Sequence, residues 1–269
     1  MCPHFRRFST CGVYCIKNFA LKLSYDGTAY HGWQLQKEDK TVAETVEEAL
    51  SEVCKEKIRV TGCGRTDSGV HANVYCANFR TNCTVPADRI PLAVNAHLPG
   101  DIAVSDAMEA PDDFNAISSC LQKEYVYKIL NTNIRDPFLE NRVCFYPRHL
   151  DISLMRAAGK AFEGTHDFSA VRSLGTPVKS TVRTVKWCKV EKDGDIISIY
   201  ICADGFLYNM CRAIAGTLVY ASCGKLCPED IPSLLDKADR RLTGPTMPPQ
   251  GLYLNRLWYE EPVGKMFTI

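Results

Sequence analysis

Apolar residues at Phe19, Leu21, Leu23 and Tyr25 alternate with Ala20, Lys22 and Ser24, the period of a β-strand. The run stops at Asp26-Gly27, a turn pair. Thr41-Val42-Ala43-Glu44 then has the spacing of a capping box. Val42, Val46, Ala49, Leu50 and Val53 follow at helical spacing, which predicts an amphipathic helix exposing Glu44, Glu47, Glu48, Glu52 and Glu56. Strands are predicted over 58–61 and 73–81, a short helix over 86–98 closed by Pro99-Gly100, and a short strand over 102–104. The same order then recurs. A strand is predicted over 123–131, a helix marked by Leu154, Met155, Ala158, Ala161 and Phe162, and a hairpin of 181–190 with 196–203 around Asp193-Gly194. A helix over 206–223, with Gly224 as its stop, and a strand over 252–259 complete the set. Two successive β-α-β-β-α-β units predict an α+β fold of two ferredoxin-like halves whose sheets join, although the halves share a pattern rather than sequence.

These periods divide the chain into a first half over 19–108 and a second over 109–262, with a tail at 263–269. Residues 1–18 carry Arg6, Arg7 and Lys17, no acid and no long apolar core, and are expected to form a disordered extension outside the fold. A connection over 136–150 is expected to be a long loop in the second half. The helix over 206–223 has Arg212 as its one charge, but it is too short and too polar at Asn209, Thr217 and Ser222 to be a membrane span. It reads as a buried helix of a globular protein. A buried arginine needs a carboxylate partner or a ligand, and either a structural ion pair or a site satisfies that need.

At 269 residues and 46% hydrophobic, the chain is long enough for one large domain or two modest ones with a real core. Fourteen cysteines include no Cys-x-x-Cys pair. The closest spacings, Cys11 with Cys15 and Cys223 with Cys227, make zinc a weak alternative to reduced thiols in a cytoplasmic protein. The formal net charge is only +1, but residues 121–190 hold twelve Lys and Arg against six Asp and Glu. Such a basic stretch is either a phosphate-binding face or an ordinary solvated surface. Tyr30, Trp33, Tyr125 and Tyr127 are available to stack on bases or to fill a core.

Candidate chemistry gathers in Gly62-Cys63-Gly64-Arg65-Thr66-Asp67-Ser68-Gly69-Val70-His71-Ala72. Its three glycines allow sharp turns and close approach to another molecule, and between them stand a carboxylate and a cation. A plain surface turn has the same composition. Several enzyme classes are excluded: the loop lacks the Gly-Lys-Ser/Thr ending of a nucleotide-binding P-loop, and the chain has neither a His-Glu-x-x-His nor a Gly-x-Ser-x-Gly motif. A glycosidase would need a second carboxylate for which Asp67 has no evident candidate.

This loop resembles the catalytic-aspartate motif of the TruA-type pseudouridine synthases. Tyr25-Asp26-Gly27 with Gly32-Trp33-Gln34 is similar to that family's opening segment. Asn95-Ala96-His97-Leu98-Pro99-Gly100-Asp101-Ile102, Lys123-Glu124-Tyr125-Val126-Tyr127, Phe206-Leu207-Tyr208-Asn209-Met210-Cys211-Arg212 and Gly251-Leu252-Tyr253-Leu254 resemble further family motifs in the expected order. The resemblance implies two halves around a central, mainly antiparallel sheet with an RNA-binding cleft between them. It also implies a homodimer that converts uridine to pseudouridine at positions 38 to 40 of the tRNA anticodon arm, with no cofactor and no metal. Asp67 would be the catalytic group, as nucleophile or as base. Arg65 would hold the flipped nucleotide, Tyr125 would stack on the target base, and Arg212 would pair with Asp67 and keep it charged. One departure is visible: Asn115 and Ile117 stand where the family usually has a polar and a basic residue. A sister enzyme with another set of uridines, or a silent RNA-binding protein on the same scaffold, are the rivals to this expectation.

Overall fold

The computed structural model describes residues 16–175 and 178–267. The basic segment up to residue 15, and with it the Cys11–Cys15 pair, lies outside the described residues. The fold is mixed α+β around one large, mostly antiparallel sheet. In the first half the elements are β1 (Lys17–Tyr25), α1 (Val42–Cys54), β2 (Val60–Gly62), β3 (His71–Thr81), α2 (Ile90–Asn95) and β4 (Ile102–Ala110). The second half contributes β5 (Gln122–Leu130), β6 (Cys144–Phe145), α3 (Ile152–Lys160), β7 (Gly164–Asp167), β8 (Val182–Asp193), β9 (Ile196–Ala203), α4 (Met210–Ser222), α5 (Ile231–Asp236) and β10 (Leu252–Trp258).

Among the described residues the sheet has ten strands in the order β4-β1-β3-β10-β5-β9-β8-β7, with β2 also on β3 and β6 also on β5. All pairings are antiparallel except β3 with β10 and β5 with β6. The two halves meet where Tyr253 and Leu254 of β10 lie beside His71 and Ala72 of β3. That seam sets the end of the candidate loop next to the second half.

Local chemistry accounts for the elements. Thr41 caps α1 by accepting a bond from the Glu44 amide, and Val42, Val46, Ala49 and Leu50 bury the helix's apolar stripe. Glu47, expected in solvent, is instead buried and accepts from the Arg59 guanidinium and, at 3.0 Å, from the Val60 amide. In the second half, Tyr127 and Ile129 of β5 and Ile197, Ile199 and Ile201 of β9 form a fully buried apolar surface. Gly216 lets α4 touch the returning chain: a Cβ there would stand 1.9 Å from the Pro245 carbonyl oxygen.

Several boundaries differ from the sequence expectation. β1 begins at Lys17, and Asn18 is buried while bonding the Pro111 and Phe114 carbonyls at 2.8 and 3.0 Å, so residues 17 and 18 belong to the fold rather than to an extension. β4 runs on to Ala110, which puts the expected division at residue 108 inside a strand. Residues 136–150 are not all loop, since they contain a helical turn at Pro137–Leu139 and the short β6. β7 and α5 have too few periodic residues to be read in advance. Residues 263–267, expected as part of a tail, pack on the fold: Val263 and Met266 are buried in a helical turn, and Lys22 donates to the Met266 carbonyl at 2.7 Å. Among the described residues no helix is long and apolar enough to cross a membrane.

Candidate active site between the two halves

The loop leaves β2 at Gly62, where a Cβ would come within 2.5 Å of the Trp33 ring and 2.3 Å of the Tyr75 hydroxyl. Close packing of this kind fixes the entry to the loop. Cys63 then bonds its amide to the Cys76 carbonyl at 2.8 Å, and the Trp33 amide bonds the Thr66 carbonyl at 3.3 Å. The Gly69 amide reaches the Tyr30 carbonyl at 3.2 Å, and the Thr66 and Tyr25 hydroxyls are 2.8 Å apart. Tyr30 and Trp33 are 1% and 4% exposed, so they build the support of the loop and are not free to stack on a base. The turn closes through Val70 N–H to the Asp67 carbonyl at 3.1 Å, with Gly69 in the left-handed region at φ +75°.

Asp67 faces α4. The Arg212 guanidinium donates through Nη1 to Asp67 Oδ2 at 3.2 Å and to Asn209 Oδ1 at 2.6 Å, and through Nε to the Met247 carbonyl at 2.7 Å. The lone charge of the apolar helix thus has a carboxylate partner, drawn from the other half of the chain. Burial raises the Asp67 pKa, and Arg212 offsets part of that effect by charge and by hydrogen bonding. Arg212 thus opposes the desolvation of this carboxylate, and desolvation is the larger of the two influences.

Around Asp67 a cleft of about 700 Å³ opens between the loop and the start of α4, with Tyr125 and Leu252 among its lining residues. Tyr125 is 9% exposed, packs edge-on to Phe206 at 4.9 Å, and has its phenol pKa raised well above the ordinary value by burial. Arg65 is exposed in the cleft and forms no ion pair among the described residues. Tyr127, by contrast, is fully buried, and its hydroxyl donates to the Pro248 carbonyl at 2.8 Å. The structure brings Asp67, Arg65 and Tyr125 to one cleft and sets Arg212 directly behind the carboxylate.

The basic stretch divides. Lys123, Arg172 and Arg183 line the cleft, whereas Arg142 pairs with Asp26 at 3.5 Å and Lys128 lies over the Tyr253 ring at 4.5 Å. Ile117 is half exposed at the cleft, and the Asn115 side chain accepts bonds from the Ile117 and Ser118 amides at 3.0 and 3.1 Å. No group of three or more His, Cys, Asp or Glu suited to holding a metal ion occurs among the described residues.

A family model described as tRNA pseudouridine synthase matches residues 22–117 and 158–260, including the whole loop and the start of α4. The chain belongs to the tRNA pseudouridine synthase family. It is 45% identical over 239 residues to tRNA pseudouridine synthase A of Caldicellulosiruptor bescii, an alignment covering 89% of this chain and 98% of that protein. The tRNA pseudouridine synthase A 2 of Clostridium tetani is 42% identical over 245 residues, 90% of this chain and 99% of the relative. A Thermoanaerobacter tRNA pseudouridine synthase A is 43% identical over 244 residues, 91% and 100% of the two chains.

Two residues of this candidate site had no assigned role at the level of sequence. Asn209, read as an ordinary position in a helix, lies just before α4 with φ +61°, and its amide nitrogen donates to Ser173 Oγ at 2.9 Å. An asparagine at the start of an apolar helix was the available signal, since it favours helix caps and tolerates the left-handed region.

Proposed function

We propose that the protein isomerises uridine to pseudouridine at positions 38, 39 and 40 in the anticodon arm of tRNA, with Asp67 as the catalytic group. The observation that carries this reading is the Asp67 carboxylate paired with Arg212 at the cleft, in a chain of this family. The reaction breaks the N1–C1′ bond of uridine and forms a C5–C1′ bond, while the hydrogen on C5 is lost and N1 gains a proton. Nothing is oxidised or reduced, so a residue that acts as nucleophile or base suffices. A uridine in a helical stem must leave its stack to be reached, and unstacking requires a pocket that receives the base. Tyr125 stacks on that base, Arg65 holds the flipped nucleotide, and Lys123, Arg172 and Arg183 neutralise phosphates.

The strand order of each half supports a reading as two ferredoxin-like units: β4-β1-β3-β2 in the first and β10-β5-β9-β8 in the second. In this reading the working form is a cytoplasmic homodimer, and the RNA occupies the cleft between the halves. A second reading, a sister enzyme with another set of uridines, is favoured by one observation, the apolar Ile117 at the cleft where a basic residue is usual for the family.

Base-resolution pseudouridine mapping on unmodified tRNA transcripts tests both. The wild-type protein is expected to modify the anticodon arm at 38–40 and Asp67→Asn to modify nothing. Undiminished modification by the variant overturns the role of Asp67, and modification confined to other sites supports the sister enzyme.

A further inference from the structure

The Asp67–Arg212 pair does not stand by itself. Arg212 projects from the first turn of α4, with its side chain 15% exposed. Its Nη1 is shared between Asp67 and Asn209, and the bond to Asn209 is the shorter, 2.6 against 3.2 Å. Asn209 is in turn immobilised at both ends. Its backbone sits in the left-handed region at φ +61°, ψ +9°, a conformation that most side chains disfavour and asparagine tolerates. Its side-chain nitrogen donates to Ser173 Oγ, and the Ser173 amide donates to the Tyr208 carbonyl at 3.0 Å. The side chain therefore has one orientation open to it, with the oxygen toward Arg212 and the nitrogen toward Ser173.

We infer that Asn209, anchored by Ser173, is a positioning residue that aims the Arg212 guanidinium at the carboxylate of Asp67. The inference rests on the uridine isomerisation proposed above, which makes Asp67 the reacting group. Asn209 touches the arginine and not the carboxylate, so its effect reaches the reaction through Arg212. Met247, the remaining partner, holds only Nε, so at Nη1 the neutral partner is Asn209. The other charged or titratable groups that bear on Asp67 are the Tyr125 phenol and the Cys211 thiol, both pushed up by burial and so neutral near pH 7, and the exposed Arg65 on its own loop. Among the described residues Arg212 is thus the cation paired with Asp67, and its placement governs how far desolvation of the carboxyl is opposed.

The test uses Asn209→Gly, which removes the side chain and keeps the left-handed backbone, together with Asn209→Asp and Ser173→Ala. Two measurements are made: the ionisation of the Asp67 carboxyl in the free protein, followed by carbon-13 NMR and assigned by its absence in Asp67→Asn, and pseudouridine formation on a tRNA transcript across pH. Asn209→Gly is expected to raise the Asp67 pKa by roughly half a unit or more. It is expected to lower kcat about tenfold with KM within about twofold, because the loss lies in orientation and not in substrate binding. Asn209→Asp should raise the Asp67 pKa too, since a second carboxylate competes for Arg212, and Ser173→Ala should give a smaller shift in the same direction. An unchanged or lowered Asp67 pKa in Asn209→Gly, with a melting temperature near that of wild type, overturns the inference. If Asn209→Gly melts far below wild type, the comparison passes to Ser173→Ala and Asn209→Asp, where an unmoved pKa overturns it equally. Because the titration needs no RNA, a wild-type protein inactive on tRNA would refute the proposed function while leaving the aim of Arg212 measurable.

Discussion

At the scale of single residues, Asp67 is under opposing influences: burial pushes its pKa up and Arg212 pulls it down. Arg212→Ala removes the pull and leaves a poorly hydrated carboxylate, so activity and stability should fall together, the latter by about 2 kcal/mol at neutral pH. The sign with pH follows from linkage. A carboxyl whose folded-state pKa is raised above the unfolded value makes the folded protein bind the proton more readily, so its penalty is present above the folded pKa and disappears below the unfolded one. The stability deficit of Arg212→Ala should therefore be largest near neutrality and shrink as pH falls; a deficit independent of pH, seen in denaturant titrations, would contradict this origin. The acid limb of the pH–activity profile should also move to higher pH in Arg212→Lys, which keeps the charge and loses the fork geometry. Support for the loop is just as residue-specific. Gly32 has φ +82°, and a Cβ there would lie 2.2 Å from the Thr66 carbonyl oxygen, one residue before Asp67. Gly32→Ala should cost about 2 kcal/mol or more and displace the carboxylate, read as a lowered melting temperature with activity lost even in the cold.

At the scale of elements, what was legible depended on whether local pattern alone fixed the outcome. The start of α1 was readable because Thr41 and Glu44 are capping signals whose geometry is local, and the Thr41 hydroxyl oxygen does accept from the Glu44 amide at 3.3 Å. Thr41→Ala should lower stability by about 1 kcal/mol while leaving pseudouridine formation per folded molecule unchanged, since Thr41 does not line the cleft. Glu47 was misplaced because its burial is a tertiary matter: the carboxylate serves Arg59 and the Val60 amide, which lie beyond the helix. The start of α4 was misplaced for a similar reason. Phe206 to Asn209 continue an apolar run with helical composition, yet Asn209 takes a left-handed backbone and bridges to Ser173 in a distant loop. The candidate site divides along the same line. Asp67 was visible in its glycine-rich loop, and the arginine was visible as a lone charge in an apolar helix. The support that Tyr30 and Trp33 give the loop was not, because buried and base-stacking aromatics look alike in sequence.

At the scale of the molecule, the cleft exists only while the two halves keep their relative position, and the direct ladder between them is short. β3 and β10 share two register pairs, Tyr253 with His71 and Leu254 with Ala72. Side chains extend the seam beyond Leu254: Asn73 donates to Asn255 at 2.9 Å, and Asn255 in turn donates to the buried Glu124 of β5 at 2.8 Å. The chain beyond β10 adds a further tie. Tyr259 donates to the Ala116 carbonyl at 2.6 Å and packs edge-on to Phe114 at 5.5 Å, while the turn at Val263–Phe267 returns to β1 through the bond from Lys22 to Met266. Deleting residues 263–269 uncovers β1 and removes Val263 and Met266 from the core, a loss of about 3 kcal/mol, or a melting temperature lower by roughly 6–12 °C for a chain of this size. Because one sheet runs through both halves, the loss should be shared rather than confined to the first half. Trp33 reports on the first half, and Trp187 with Trp258, 5.9 Å apart, on the second. Variants retaining only one of these reporters should give coincident denaturation midpoints, lowered equally by the truncation. Separate midpoints would mean that the halves unfold independently, and the seam would then be too weak to hold Arg212 against Asp67 without the terminal turn.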